Sequence, residues 1–110
     1  MAGSFVIEKG STGKFHFNLR AANNEIILTS ETYEAKASAE NGIASVRTNS
    51  QDDARFTRKT ATDGSPYFVL TATNGQVIGA SEMYSSTAAR DNGIKSVATN
   101  APSAVIVDRT

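Results

Sequence analysis

The chain has 110 residues, 39% of them hydrophobic and 7% aromatic, with 8 Gly, 2 Pro, no Cys and no Trp, which is enough for one modest core in one domain and not for two. Eleven basic and eleven acidic residues cancel to a formal net charge of +0, so the long-range field that draws proteins to nucleic acid or anionic membranes is missing. The absence of cysteine excludes a disulfide framework, a thiolate nucleophile and a zinc ribbon, and the single histidine, His16, excludes a multi-histidine metal site.

The opening Met-Ala-Gly-Ser-Phe-Val-Ile-Glu-Lys has no basic stretch followed by an apolar one. No window approaches the roughly 18 consecutive apolar residues of a membrane span. The expectation is a soluble cytoplasmic protein with no membrane role and no cofactor.

In chain order, Gly10-Ser11-Thr12-Gly13 supplies a turn. Phe17, Leu19 and Ala21 then alternate with His16, Asn18 and Arg20, the period-2 pattern of a strand with one buried face. Asn23-Asn24 supplies the next turn before a strand through Ile27, and the segment reads as a three-strand meander. The period then changes: Ala35, Ala39, Ile43 and Val46 fall on one side of a helical wheel. Glu34 is a poor N-cap, so a start from Thr32 is expected. Gly42 lies inside this helix, where glycine costs about 1 kcal/mol relative to alanine, which implies close packing of the helix backbone on the sheet.

The order then begins again. Residues 5 to 49 match residues 56 to 100 at a constant offset without a gap, with about two in five positions identical, too many in one register for chance. Phe5, Gly13, Phe17, Leu19, Ala21 and Asn23 recur as Phe56, Gly64, Phe68, Leu70, Ala72 and Asn74, and Ile27, Ser30, Glu31, Tyr33 and Ala37 recur as Ile78, Ser81, Glu82, Tyr84 and Ala88. Asn41-Gly42-Ile43-x-Ser45-Val46-x-Thr48-Asn49 recurs as Asn92-Gly93-Ile94-x-Ser96-Val97-x-Thr99-Asn100. In the second copy Thr62-Asp63-Gly64-Ser65 is the first turn. Asn74-Gly75 reads as a two-residue type I′ turn, which needs positive φ at both central positions. Ser85 is the expected cap of the second helix, along which Ser86, Ile94 and Val97 take the matching places while Arg90 replaces Ala39. Ala104-Val105-Ile106-Val107-Asp108 closes the chain as a short apolar run suited to a buried strand, aligned with Ala54 to Arg58 after the first helix. Two copies are too few for a solenoid, which needs about three. The expectation is one pseudo-twofold α+β domain, repeats 1–52 and 53–110, whose sheet buries Phe17, Leu19, Ile27, Phe68, Leu70 and Ile78 under two helices.

The tandem pattern from Gly13 through Asn-Gly-Ile-x-Ser-Val resembles the YegP-like family of small bacterial proteins. Its most specific pieces are Pro66-Tyr67-Phe68-Val69-Leu70, Asn74-Gly75-Gln76-Val77-Ile78-Gly79, Ser81-Glu82-Met83-Tyr84-Ser85-Ser86 and Asn92-Gly93-Ile94-x-Ser96-Val97. The first copy departs from it with Asn24 in place of Gly75 and Leu28 in place of Gly79. The resemblance implies two β-β-β-α-β units in a single, mainly antiparallel sheet, with both helices on one face and the last strand of each unit exchanged. It implies no activity. An exchange within one chain and a domain-swapped homodimer are equally compatible with the pattern.

Several residue groups invite a functional reading. Lys9-Gly10-Ser11-Thr12-Gly13-Lys14 has two residues between its glycines where a phosphate loop needs four, and Phe15 follows in place of Ser or Thr, so a turn is the better account. His16 sits mid-strand without a nucleophile elbow anywhere in the chain, and Tyr67 holds its place in the second copy. Glu31 and Glu82, beside Tyr33 and Tyr84, could form an acid/base pair if the two copies converge; the plainer account is a local hydrogen bond near each helix start. Asn41, Ser45 and Asn49, repeated as Asn92, Ser96 and Asn100, could line a polar groove, or cap helix ends. Arg55, Arg58 and Lys59 are the one basic cluster, offset by Asp52 and Asp53 and short of aromatics for base stacking, which weighs against nucleic acid. The leading expectation is a non-catalytic binding or interaction module for an unidentified protein or small-molecule partner. Its candidate surfaces are the sheet face with His16, Arg20 and Tyr67 and the faces with Glu31, Glu82, Asn41 and Asn92. A small enzyme built on Glu31/Glu82 and Tyr33/Tyr84, and a weak nucleic-acid binder through Arg55, Arg58 and Lys59, are the alternatives.

Overall fold

Four hairpin loops of one design organise the sheet. The computed structural model describes residues 3–110; Met1 and Ala2, where the first repeat was expected to begin, lie outside the described residues. Each loop holds three residues: 11–13, 22–24, 62–64 and 73–75. In each, the residue before the loop donates its N–H to the carbonyl of the residue after it, and the third loop residue donates back to the first flank. That third residue alone takes positive φ: Gly13 (83°), Asn24 (71°), Gly64 (88°) and Gly75 (85°). This is a type I turn followed by a left-handed residue. Asn74-Gly75 is therefore not the expected type I′ turn, because a three-residue loop needs only one left-handed position. The side-chain oxygens of Asn23, Asp63 and Asn74 instead accept from the N–H two residues on, at 3.1, 2.9 and 3.0 Å.

Strands β1 (Ser4–Lys9), β2 (Phe15–Arg20) and β3 (Ile26–Ser30) are followed by α1 (Lys36–Asn49) and a 3-10 turn at Asp53–Arg55. Strands β4 (Phe56–Thr60), β5 (Pro66–Thr71) and β6 (Val77–Ala80) then lead to α2 (Thr87–Asn100) and β7 (Val105–Asp108). The seven strands form one sheet in the order β4-β5-β6-β3-β2-β1-β7, antiparallel except for β1 with β7. The implied α+β architecture of two repeats is thus the observed one. The strand after each helix lies on the other repeat's half: β4 on β5, and β7 on β1 of the same chain.

The registers put Phe5, Ile7, Phe17, Leu19, Leu28, Phe56, Phe68 and Leu70 on one face, where they join Ile43, Val46, Ile94 and Val97 of the helices in a single core. One bulge in each half, opposite Leu19/Arg20 and Leu70/Thr71, inserts Ile27 and Ile78 as extra residues, and both are buried. The pseudo-twofold axis passes between Thr29 and Ala80, repeat-equivalent residues that pair directly. Beside it, a Cβ on Gly79 would lie 2.7 Å from the Thr29 carbonyl and 3.2 Å from Leu28 Cγ. Leu28 fills the axial space, and its counterpart must be glycine.

The β2 and β3 ladder ends on a side chain. The Phe17 N–H donates to Ser30 Oγ at 2.8 Å, and that hydroxyl donates to the Glu31 carbonyl at 2.7 Å. Phe68, Ser81 and Glu82 repeat both bonds at 3.0 and 2.8 Å. Each serine thus satisfies a buried backbone donor where the chain leaves the sheet for the helix.

Both helix starts differ from expectation. Ser86, not Ser85, caps α2 by accepting from the Ala89 N–H at 3.1 Å, and α1 begins after Ala35, which offers no side-chain cap, rather than from Thr32. Close backbone packing at the helical glycines is observed: a Cβ on Gly42 would lie 2.6 Å from Tyr33 Oη and 2.9 Å from Phe17 Cε2, and one on Gly93 would lie 2.3 Å from Tyr84 Oη. β7 also departs from expectation. It is an exposed edge strand, Val105 60%, Ile106 47% and Val107 37% accessible, and not a buried one, because among the described residues no strand flanks its outer side, and Ala104 just before it is the residue of this run that joins the core. What holds it is a clasp: Arg47 Nη2 donates to the Ala104 carbonyl at 2.6 Å, and Lys36 pairs with Asp108.

Three outcomes follow for stability. Ser30→Ala and Ser81→Ala each strand a buried N–H and should cost about 1–3 kcal/mol in denaturant midpoints. Gly42→Ala should destabilise despite its gain in helix propensity of about 1 kcal/mol, with partial recovery in Gly42→Ala/Tyr33→Phe, which removes the nearest clashing atom; thermal melts of these two variants and of Tyr33→Phe alone read both signs. Lys36 and Thr110 hold the Asp108 carboxyl well below the usual carboxylate range. A pKa depressed by folding stabilises above the unfolded value of about 3.9 and is lost as pH falls below it. Asp108→Asn should therefore flatten the fall in stability between about pH 5 and pH 2, measured by denaturant midpoints at each pH.

Candidate functional site

After β3 the chain bends back along β2, and two backbone bonds fix it there: Tyr33 N–H to the Phe15 carbonyl at 2.7 Å and Phe15 N–H to the Tyr33 carbonyl at 2.8 Å. This lays the Tyr33 ring parallel to Phe17, with centroids 6.3 Å apart and 6° between planes, while Phe17 meets Phe5 edge-on at 5.9 Å. Tyr84, Phe68 and Phe56 repeat the trio, at 6.3 Å stacked and 5.6 Å edge-on. Such contacts add about 0.5–1.5 kcal/mol each beyond the area they bury. The tyrosines are therefore fixed, with each hydroxyl lying over its helical glycine.

Tyr33 forms part of the wall of a cleft of about 530 Å³ between α1 and the β5–β6 hairpin, within the size range of small-molecule sites. The first repeat contributes Glu31, Tyr33, Ser38, Asn41, Gly42 and Ser45; the second contributes Ala72, Asn74, Gln76, Val77 and Ile78. No lysine, arginine or histidine is in that lining, and Glu31 is its one ionisable acid side chain besides the phenol. Burial, and then the nearby Glu31 carboxylate, push the Tyr33 hydroxyl above its ordinary value of 10.0, so at neutral pH it is a protonated donor and acceptor. Tyr84 is raised in the same way by burial, Glu82 and Glu25.

The sequence-derived candidates separate into groups. Glu31, Tyr33, Asn41 and Ser45 come together in the cleft. Asn49 and Asn100 do not reach it: each donates to the serine one turn back, Asn49 to the Ser45 carbonyl and hydroxyl at 2.9 and 3.0 Å and Asn100 to those of Ser96 at 2.8 and 3.2 Å. Glu82 and Asn92 occupy the places equivalent to Glu31 and Asn41 in the other half. Glu31 and Glu82 do not converge. The Glu31 N–H bonds to the Ile78 carbonyl at 3.2 Å, and because β3 and β6 run antiparallel from the Thr29–Ala80 pair, Glu31 and Glu82 lie two residues beyond it in opposite directions, about 13 Å apart at strand spacing. Neither carboxylate caps a helix, since Ser86 does so for α2 and Ala35 stands before α1.

His16, Arg20 and Tyr67 share the outer sheet face but no common site. His16 sits opposite Glu8, with Nε2 3.7 Å from its carboxylate; Arg20 donates to Asn18 Oδ1 at 3.0 Å; Tyr67 lies beside Lys59 on the far side of the sheet. Three strand spacings of about 4.8 Å separate β2 from β5. The basic cluster is divided too. Arg58 faces the helices and meets Asp91 at 3.2 Å and Asp53 at 3.4 Å, Lys59 points to the opposite face, and Arg55 lies 3.6 Å from Asp52. Lys9 to Lys14 is a hairpin loop. Among the described residues no group of three or more His, Asp or Glu could hold a metal ion, and no helix is long and apolar enough to cross a membrane.

Sequence reasoning missed Ala72, Asn74, Gln76 and Val77. Asn74 and Ala72 do recur as Asn23 and Ala21, a signal that hairpin residues as well as helix residues are repeated. Nothing local says that a hairpin of one repeat lies against the helix of the other.

A family model described as "Domain of unknown function (DUF1508)" matches residues 11–56 and again residues 61–108. A UPF0339 protein of Bordetella pertussis is 63% identical over 110 residues, covering 100% of this chain and 98% of the relative. Two solution NMR structures match at this level: a UPF0339 protein of Shewanella oneidensis, 53% identical with a TM-score of 0.92 over 98% of this chain and 92% of that one, and YegP of Escherichia coli, a protein of unknown function, 50% identical with a TM-score of 0.95 over 100% and 95%. Two matches of the family model in tandem, full-length relatives and the same fold in both neighbours agree: the chain belongs to the UPF0339 (YegP) family, with two DUF1508 repeats.

Proposed function

We propose that the protein is a non-catalytic binding module whose ligand is a small polar molecule held in the cleft between α1 and the β5–β6 hairpin. One observation carries this reading: Glu31, Tyr33, Asn41 and Ser45, four residues that recur in both repeats, line one cleft, and the opposite repeat supplies its other wall. The wall is preorganised. Tyr33 is fixed between Phe17 and Gly42, and the hairpin is fixed by its loop bonds, so a ligand would order few protein groups on entry. The chemistry on offer is hydrogen bonding. Asn41, Asn74 and Gln76 present amides, Ser38, Ser45 and Tyr33 hydroxyls, and the Asn41 and Glu31 side chains engage in no hydrogen bond or ion pair among the described residues. The separation of Glu31 from Glu82 supports binding over a shared acid/base pair. The division of Arg55, Arg58 and Lys59 likewise favours it over a nucleic-acid contact.

The test is two-dimensional NMR of labelled protein against a library of small polar compounds. Binders should shift the amides of Asn41, Gly42, Ser45, Gln76 and Val77, and Asn41→Leu should weaken them about fivefold to tenfold while leaving the spectrum folded. Shifts confined to the sheet face of His16, Arg20 and Tyr67, or no shifts at the cleft, would overturn this reading.

A further inference from the structure

We propose that the cleft prefers ligands carrying a protonated amine beside hydroxyl or amide groups, an inference that rests on the binding reading above. Glu31 is the one carboxylate in the lining, and no cationic side chain faces it there. Like Glu25, Glu40, Asp63 and Glu82 it has no ion-pair partner among the described residues, unlike Glu34, which meets Lys14 at 3.4 Å, Asp53 and Asp91, which meet Arg58, and Asp108, which meets Lys36; of the unpaired acids it is the one that lines the cleft. An anionic ligand would meet this charge with nothing to offset it. An ammonium group would gain a charge-assisted hydrogen bond, and the neutral amides of Asn41 and Gln76 and the protonated Tyr33 hydroxyl would serve the ligand's uncharged polar groups.

The other half of the molecule repeats the sign. There Glu82 takes the place of Glu31 and Tyr84 stacks on Phe68 over Gly93. Glu25 takes the place of Gln76, and both carboxylates act on the Tyr84 hydroxyl. Negative charge thus recurs beside the repeated tyrosine, and among the positions equivalent to the cleft lining 25/76 is the one at which the two halves differ by one unit of charge.

Three hexose-sized probes of different charge test this by NMR titration at the Asn41, Gly42, Gln76 and Val77 amides: D-glucosamine, D-glucose and D-glucuronate. Glucosamine should bind about twofold to fivefold more tightly than glucose, with glucuronate weakest. Glu31→Gln should bring glucosamine to the level of glucose, and Gln76→Glu should tighten glucosamine several-fold without changing glucose; both positions are exposed, and each variant's own spectrum reports its folding. Equal binding of glucose and glucosamine overturns the preference for an amine and leaves the binding reading standing. Shifts by none of the three overturn the amine inference, and the wider library above then decides the binding reading separately.

Discussion

The seam between β3 and β6 is the contact on which the rest of the molecule depends. It is short: Thr29 pairs with Ala80 on the pseudo-twofold axis, Ser30 with Gly79, and the Glu31 N–H reaches the Ile78 carbonyl. Across it each repeat must come close enough for Leu28 to fill the space beside Gly79, where a Cβ would stand 2.7 Å from the Thr29 carbonyl. A strict repeat would place either two leucines or two glycines beside the axis, one overpacked and the other hollow. Breaking the symmetry at this position lets the two half-sheets close into one. Because α1 lies over β2 and also reaches β5 and β6, the seam fixes the distance from helix to hairpin and so the width of the cleft.

Around that seam each repeat carries the same internal brace. An edge-on and a stacked aromatic contact run from Phe5 through Phe17 to Tyr33, and from Phe56 through Phe68 to Tyr84, ending against Gly42 and Gly93. The helical glycines give up intrinsic helix stability so that a tyrosine ring can lie against the helix backbone. Ser30 and Ser81 complete the brace by closing the β2 and β5 ladders where the chain turns toward the helix. Polar and aromatic residues that recur in the sequence are in this way divided between structure and cleft: Ser30, Asn49 and their counterparts satisfy backbone groups, while the Glu31 and Asn41 side chains have no partner among the described residues.

The cleft belongs to neither repeat alone. Its carboxylate, phenol and helix groups come from the first and its hairpin wall from the second, so the two walls are different elements of the repeated unit, one from each copy. The two edges of the sheet are finished differently. At the β4 edge Arg58 and Lys59 stand where charge discourages further strand pairing, whereas β7 covers β1 and is itself held by Lys36, Arg47 and Asp108. Solved relatives of this family share the fold, and the chemistry of the cleft lining, neutral donors and acceptors with one acid, is what distinguishes a functional hypothesis from a purely architectural one.

Much was legible in the sequence because it is local or periodic. The alternation of Phe17 and Leu19 with His16 and Asn18 gives a strand with one buried face; Ile43 and Val46 give the helix stripe; the repeat itself gives the pseudo-twofold domain; and Gly42 signals close packing. Other features needed the tertiary structure. Ser86 rather than Ser85 caps α2, and the loop at Asn74-Gly75 has one left-handed residue rather than two, because backbone bonds to residues beyond the dipeptide choose among turns of similar composition. Val105 to Val107 is apolar yet exposed, since burial of a strand depends on what flanks it. Glu31 and Glu82 are equivalent in sequence but lie apart, while Glu31 and Gln76, unrelated in sequence, face one cleft: a repeat determines which residues correspond, and only the pairing of β3 with β6 and the path of α1 across it decide which of them meet.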